Sequence, residues 1–170
     1  MTHNITRTAV AVALLWTVAL CPRLSPAYSQ DVYKEILRLS HETAQDQSKD
    51  LQTRRAAMFK VNALEYLYAA TKEFLPDSMM TDVLNNQAYA LYDFVNTFLT
   101  VYNYREKAAD KEETIAMFRR ATLANPRFPD TGNELTSAYL EAEGFITRFS
   151  LNTDWVRALA DIKDELKDKL

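Results

Sequence analysis

An all-α fold follows from three features of the sequence. The chain holds two glycines, Gly132 and Gly144, and past residue 29 only Pro76, Pro126 and Pro129 as prolines. A β-sandwich or barrel needs many more turn residues. Between these breaks run long stretches rich in Ala, Leu, Glu, Lys and Arg, which are good helix formers. The third feature is Met80–Arg105, whose apolar residues fall at Met80, Leu84, Ala88, Leu91, Val95, Phe98 and Tyr102. Steps of three and four predict a helix with one buried seam. About 26 residues at about 1.5 Å each make a rod of roughly 39 Å. A rod of that length calls for other helices alongside it. The expected architecture is an antiparallel bundle, or a short stack of hairpins, of about six helices around this long central one.

The front of the chain reads as an export signal and not as part of the fold. Residues 1–8 carry Arg7 and no acid, and Ala9–Leu20 holds only Thr17 as a polar group. Pro22, Ser25, Pro26, Ala27 and Ser29 follow, completing the basic start, apolar core and small-residue exit of a secretory signal. Ala27 and Ser29 stand at the two positions a signal peptidase reads, which places cleavage before Gln30, with the 27/28 bond as the alternative. A membrane anchor is disfavoured, because 12 residues would span about 18 Å of a hydrocarbon core of roughly 30 Å. A lipid anchor on Cys21 is also disfavoured: Leu20 occupies the place where a lipobox needs a small residue, and Pro22 follows directly.

Removing residues 1–29 from the 170 leaves 141 residues, expected to form a single domain, 30–170. Arg7 and Arg23 leave with the signal, so 18 basic residues face 23 acidic ones, a net charge of −5. That balance argues against a nucleic-acid partner, which calls for a basic face. Cys21 is the only cysteine of the chain, so the exported form has no disulfide and no thiol chemistry.

Taken in order, a first helix is expected over Asp31 to about Gln45, burying Val32 or Tyr33, Ile36, Leu37 and Leu39. Gln45–Asp50 is polar and is either a loop or a join between helical pieces. A second helix, Leu51 to Leu75, is expected to bury Met58, Val61, Leu64, Leu67, Tyr68 and Leu75, and Pro76-Asp77-Ser78 breaks it. After the long helix, Asp110 with Glu113 has capping-box spacing. It is expected to open a fourth helix from Lys111 to about Ala124, with Ile115, Phe118 and Leu123 inward. Pro126 and Pro129 end that helix. A fifth, about Asn133–Phe149, carries Leu135, Ala138, Tyr139 and Ala142, and either stops at Gly144 or continues past it. Asn152 or Thr153 is expected to cap the last helix, whose seam is Trp155, Leu159, Ile162 and Leu166.

One segment, Thr114–Phe145, resembles parts of two neighbouring tetratricopeptide (TPR) repeats, helical hairpins with a period of about 34 residues. Phe118, Ala121 and Pro126 match the large, small and proline positions of the second helix of that consensus. Leu135 and Tyr139 then stand in register for the next repeat, and Gly144-Phe145 resembles its turn with the glycine one place late. Gly132 stands where the consensus has a large aromatic, and Thr136 where it has a small residue. The resemblance implies a stack of hairpins whose inner groove, lined by Asn133, Ser137 and Leu140, would hold another protein.

Catalytic chemistry can be tested by elimination. With His41 as the only histidine after residue 29 and no cysteine there, Cys–His pairs and histidine-rich metal sites are excluded. His41, in a polar run, reads as a surface residue. No glycine-rich phosphate loop is present, and no E-x-x-H pair for a di-metal bundle. Glu112-Glu113 reads as a helix start favoured by the dipole. Glu141 and Glu143 point to different faces, Asp93 lies beside the long seam, and Glu65 adjoins the Leu64 seam as the one carboxylate with a possible buried role.

The aromatics remain. Tyr89, Tyr92, Phe94, Phe98, Tyr102 and Tyr104 crowd the long helix on at least two faces. Either several neighbours cover that helix, or Tyr89 and Tyr92 form an exposed strip that grips a partner or a sugar ring. The expectation is an exported, periplasmic or secreted, protein-interaction module without catalysis or cofactor, whose partner is another envelope or secreted protein. The alternative is a helical small-ligand or glycan-binding protein using the tyrosines.

Overall fold

The computed structural model describes residues 32–129, 139–141 and 146–167. The expected export signal, Cys21, Asn133 and Ser137 lie outside them. Among the described residues the regular structure is helical, with no strand. The helices are α1 (Val32–Gln45), α2 (Leu51–Phe74), α3 (Asp77–Tyr104), α4 (Ala108–Ala124) and α5 (Trp155–Lys167).

Helix α1 buries Ile36, Ser40 and Ala44, four apart, with Val32, Tyr33 and Leu37 half-buried against the core. Small Ser40 and Ala44 let α2 come close, and the expected Leu39 turns outward instead. On the outer face Arg38 pairs with Glu35 at 2.7 Å and with Glu42 at 2.5 Å. The polar stretch after α1 is a loop. Asp46 Oδ1 accepts from the Ser48 N–H at 2.9 Å, an Asx turn, and Asp50 caps α2 by accepting from the Thr53 N–H at 2.9 Å.

Helix α2 corrects the expected seam. Val61, Leu64 and Leu67 are buried, but Met58 and Tyr68 are exposed and Leu75 is a half-buried C-cap. The buried arc is instead wide. It includes Ala56, Ala63 and Ala70, spaced by sevens, and Phe59, because α2 packs against α1 and α3 while Tyr139 covers its Phe59 side. Small residues at that spacing let a neighbouring helix approach.

Helix α3 is the central rod. Leu84, Ala88, Leu91, Val95 and Phe98 are buried, and Met80 and Tyr102 pack half-buried at the two ends of the seam. It packs against each of α1, α2, α4 and α5. Coverage from that many sides also buries Gln87, Ala90 and Phe94, beyond the single seam.

The expected capping box does not open α4. The helix begins at Ala108, with Lys107 at the cap position and no side-chain capping bond. Ala108 and Ala109 are the best helix formers and carry the helix back past Asp110. Asp110 sits in the first turn, where a negative charge suits the dipole. Ile115 and Phe118 face inward as expected, and Leu123 is exposed.

The chain from Tyr139 to Glu141 is helical, and residues 146–150 are not. Ile146, Thr147, Phe149, Ser150 and Leu151 form a buried strap that the helical pattern did not show. Side chains hold it. Asn152 Oδ1 accepts from the Phe128 N–H and its Nδ2 donates to the Phe128 carbonyl, both at 2.9 Å. Thr122 Oγ1 accepts from the Ser150 N–H at 3.2 Å, and Thr153 Oγ1 donates to the Ser150 carbonyl at 2.7 Å. Asn152 and Thr153 are therefore engaged elsewhere and do not cap α5. Asp154 does: its carbonyl accepts from the Ala158 N–H at 2.9 Å and its carboxylate from the Arg157 N–H at 3.3 Å.

The core is a cluster of rings on this strap. Phe149 packs edge-on to Phe59 at 5.6 Å, Phe94 at 5.4 Å and Phe98 at 5.0 Å. Trp155 closes on Phe59 and Phe94 at 5.9 and 5.4 Å. Such edge-to-face pairs add about 0.5–1.5 kcal/mol each beyond the area they bury.

Candidate functional site: two clefts on the central helix

The first half of α3 keeps one side uncovered: Asp82, Asn86 and Tyr89 are exposed there, with Val32 and Tyr33 of α1 on one flank and the start of α5 on the other. Two clefts border this strip. The first, about 270 Å³, is lined by Val32, Asp82, Asn85, Asn86 and Tyr89. Asn85 Oδ1 accepts from the Tyr33 N–H at 3.0 Å and fixes α1 at the rim. Tyr33 itself donates to the Leu64 carbonyl at 3.2 Å, and burial, with the Glu65 charge nearby, pushes its phenol up to about 12. Tyr89 is 64% exposed, an aromatic ring standing in water in the middle of the most covered helix.

The second cleft, about 250 Å³, is lined by Val83, Asn86, Gln87, Arg127, Asp154, Val156 and Arg157. Buried Gln87 organises its floor. Its Nε2 donates to Asp154 Oδ1 at 2.9 Å and its Oε1 accepts from the Trp155 N–H at 2.7 Å. Arg127 Nη1 donates to Asp154 Oδ2 at 3.0 Å. Burial works to raise the Asp154 carboxyl, but the Gln87 amide, the Arg157 N–H and the two guanidinium groups outweigh it and hold the carboxyl below the usual carboxylate range.

Of the residues the sequence singles out, Tyr89 lines the first cleft. Tyr92, one turn on and 40% exposed, turns toward α2, where the Lys60 ammonium lies 4.8 Å from its ring centroid. Lys60 is buried, and that burial lowers its pKa. Leu140 is helical and half-buried beside Tyr139, whose hydroxyl accepts from the Asn62 amide. The structure brings Tyr89 and Tyr92 onto one helix flank and leaves Leu140 apart from both clefts.

Sequence reasoning missed Lys60, Asn86, Gln87, Arg127, Asp154 and Arg157. A signal for Lys60 was present: it lies four residues before Leu64 and seven before Leu67, on the apolar face of α2. Arg127 and Asp154 come together from two loops 27 residues apart and carry no local pattern.

Among the described residues the carboxylates the sequence singles out do not converge, and Glu143 lies outside them. Glu65, Glu112, Glu113 and Glu141 are exposed, and Asp93 pairs with Lys163 at 2.7 Å. His41 is half-buried on α1. Among the described residues no group of three His, Cys, Asp or Glu side chains is placed to hold a metal ion, and no helix is long and apolar enough to cross a membrane. The chain matches no family model, and no curated protein or solved structure matches it.

Proposed function

We propose that this chain is an exported, periplasmic or secreted, protein-interaction module with no catalysis of its own, which takes a segment of another envelope or secreted polypeptide against the uncovered flank of α3. The observation that carries this reading is Tyr89. A large ring 64% exposed, lining one cleft with Asn85 and Asn86, has the apolar body and polar rim that protein recognition uses. The signal-like layout of residues 1–29 supports the address. The TPR-like spacing of Phe118, Ala121 and Pro126 supports an interaction role, with Phe118 and Ala121 buried on α4.

The test is capture of partners by the exported chain from its own envelope fraction, comparing wild type with Tyr89→Ala and Leu140→Ala. Tyr89→Ala should cut capture about tenfold, the loss of roughly 1.4 kcal/mol, with an unchanged circular dichroism spectrum. Full capture by Tyr89→Ala with loss in Leu140→Ala would move the site to the TPR-like hairpin.

A second reading rests on the first cleft's lining. One carboxylate, two amides and a ring within about 270 Å³ are also the donors, acceptors and stacking face of a saccharide subsite. Displacement of the captured polypeptide by soluble oligosaccharides of the same envelope would favour it.

A further inference from the structure

The geometry points to a single groove made of both clefts, receiving an extended partner segment that carries a carboxylate at the Arg127–Arg157 end. This deepens the preceding reading and rests on it. Asn86 lines both clefts, so they lie on its two sides along the uncovered face of α3. Their charges are not alike. The Tyr89 end holds Asp82, while the other end sets two guanidinium groups against one carboxylate, Asp154.

That carboxylate is already held by Gln87 and Arg127. Arg157 is a different case. Its side chain is 77% exposed, and its Nε lies 3.9 Å from Asp154 Oδ2, beyond hydrogen-bond distance. Arg127 adds its positive charge to the same cleft while its Nη1 stays on Asp154. A guanidinium fork fits one carboxylate in bidentate fashion, and Val83 and Val156 supply apolar walls beside it. Asp82 and Asp154 in the same groove oppose a polyanion, so a polypeptide bearing one acid fits better than a nucleic acid or an anionic membrane.

The experiment is an NMR titration of the ¹⁵N-labelled exported chain with two probes. One is a blocked alanine pentapeptide with a central glutamate; the other is its glutamine counterpart. The expected result is saturable shifts at the amides of Asn86, Gln87 and Arg157, about tenfold tighter for the glutamate peptide. Arg157→Glu should erase that preference and Arg157→Lys should keep part of it. Because this side chain stands in water, neither change threatens the fold.

Equal affinity for the two peptides overturns the inference, as does a glutamate preference that survives Arg157→Glu, or silence of these amides up to about 10 mM peptide, a free energy near 3 kcal/mol. Capture by phosphatidylglycerol vesicles that Arg157→Glu abolishes, without peptide binding, would replace the polypeptide by a membrane and overturn it too. Tyr89→Ala separates the two proposals. Unchanged partner capture in that variant sinks the α3 reading, whereas loss of the charge preference alone sinks only the carboxylate assignment.

Discussion

Lys60 and Tyr92 meet across the α2–α3 interface, the ammonium 4.8 Å from the ring centroid. The lysine is 8% exposed and lies on the apolar face of its helix. Burial lowers its pKa below the ordinary 10.5, so the folded state holds its proton less tightly than the unfolded chain does. Stability therefore rises with pH between the lowered value and 10.5, as the buried charge is relieved. Lys60→Met should be more stable than wild type at pH 7 by about 1 kcal/mol, and the gap should close by about pH 10.5. Urea unfolding at the two pH values checks this; an equal gap at both would contradict it.

Phe149 anchors the strap among rings from α2 and α3 and is fully buried. Phe149→Ala should cost about 3–5 kcal/mol in urea unfolding. Phe74 also stacks on a ring, that of Phe128 at 5.6 Å, but stands partly in water. Its alanine variant should cost less than half as much. Equal costs would mean the strap is not where the core is held.

Asn152 bonds both the N–H and the carbonyl of Phe128. Asn152→Ala leaves two backbone groups without those bonds and should cost about 1–3 kcal/mol. Hydrogen exchange should quicken first at the amides of Phe128 and Ser150. Uniform acceleration across all helices would instead mark a global effect.

The Asp154 carboxyl is depressed in the folded state, so its stabilising contribution is present above the ordinary value of 3.8 and is lost as pH falls through the lower folded value. Asp154→Asn keeps a capping side chain but loses that dependence. Its melting temperature should fall less steeply than that of wild type between about pH 4 and pH 2. Parallel acid limbs in the two proteins would show that other carboxylates set the slope.

The long helix was legible because one period of three and four runs through Met80–Tyr102 without interruption. Helix α2 was misread because it is covered on several sides, and a wide buried arc leaves the phase of a helical pattern undecided. That is how Met58 and Tyr68 were expected inside and Phe59 was missed. Caps failed for a related reason. Asp110 and Asp154 both satisfy local capping rules, but Ala108-Ala109 extend one helix past its acid while strap contacts take Asn152 and Thr153 away from the other. Residues 146–151 have no period at all, since side chains from distant segments hold them. The clefts were invisible on the same ground, apart from Tyr89.

The corrected faces can be probed directly. Met58→Lys and Leu123→Lys should each change stability by no more than about 0.5 kcal/mol, as read from denaturant midpoints. A cost of several kcal/mol at either site would restore the seam the spacing suggests.

The strap also governs the order of assembly. Helices α1 to α3 meet through neighbours in the chain, but the ring cluster waits for Phe149 and Trp155, and Gln87 waits 67 residues for Asp154. A chain stopped short of residue 146 would present Phe59, Phe94 and Phe98 to solvent around a vacant centre. Synthesis or trimming that interrupts the polypeptide there should yield an aggregation-prone intermediate in place of a shorter working protein.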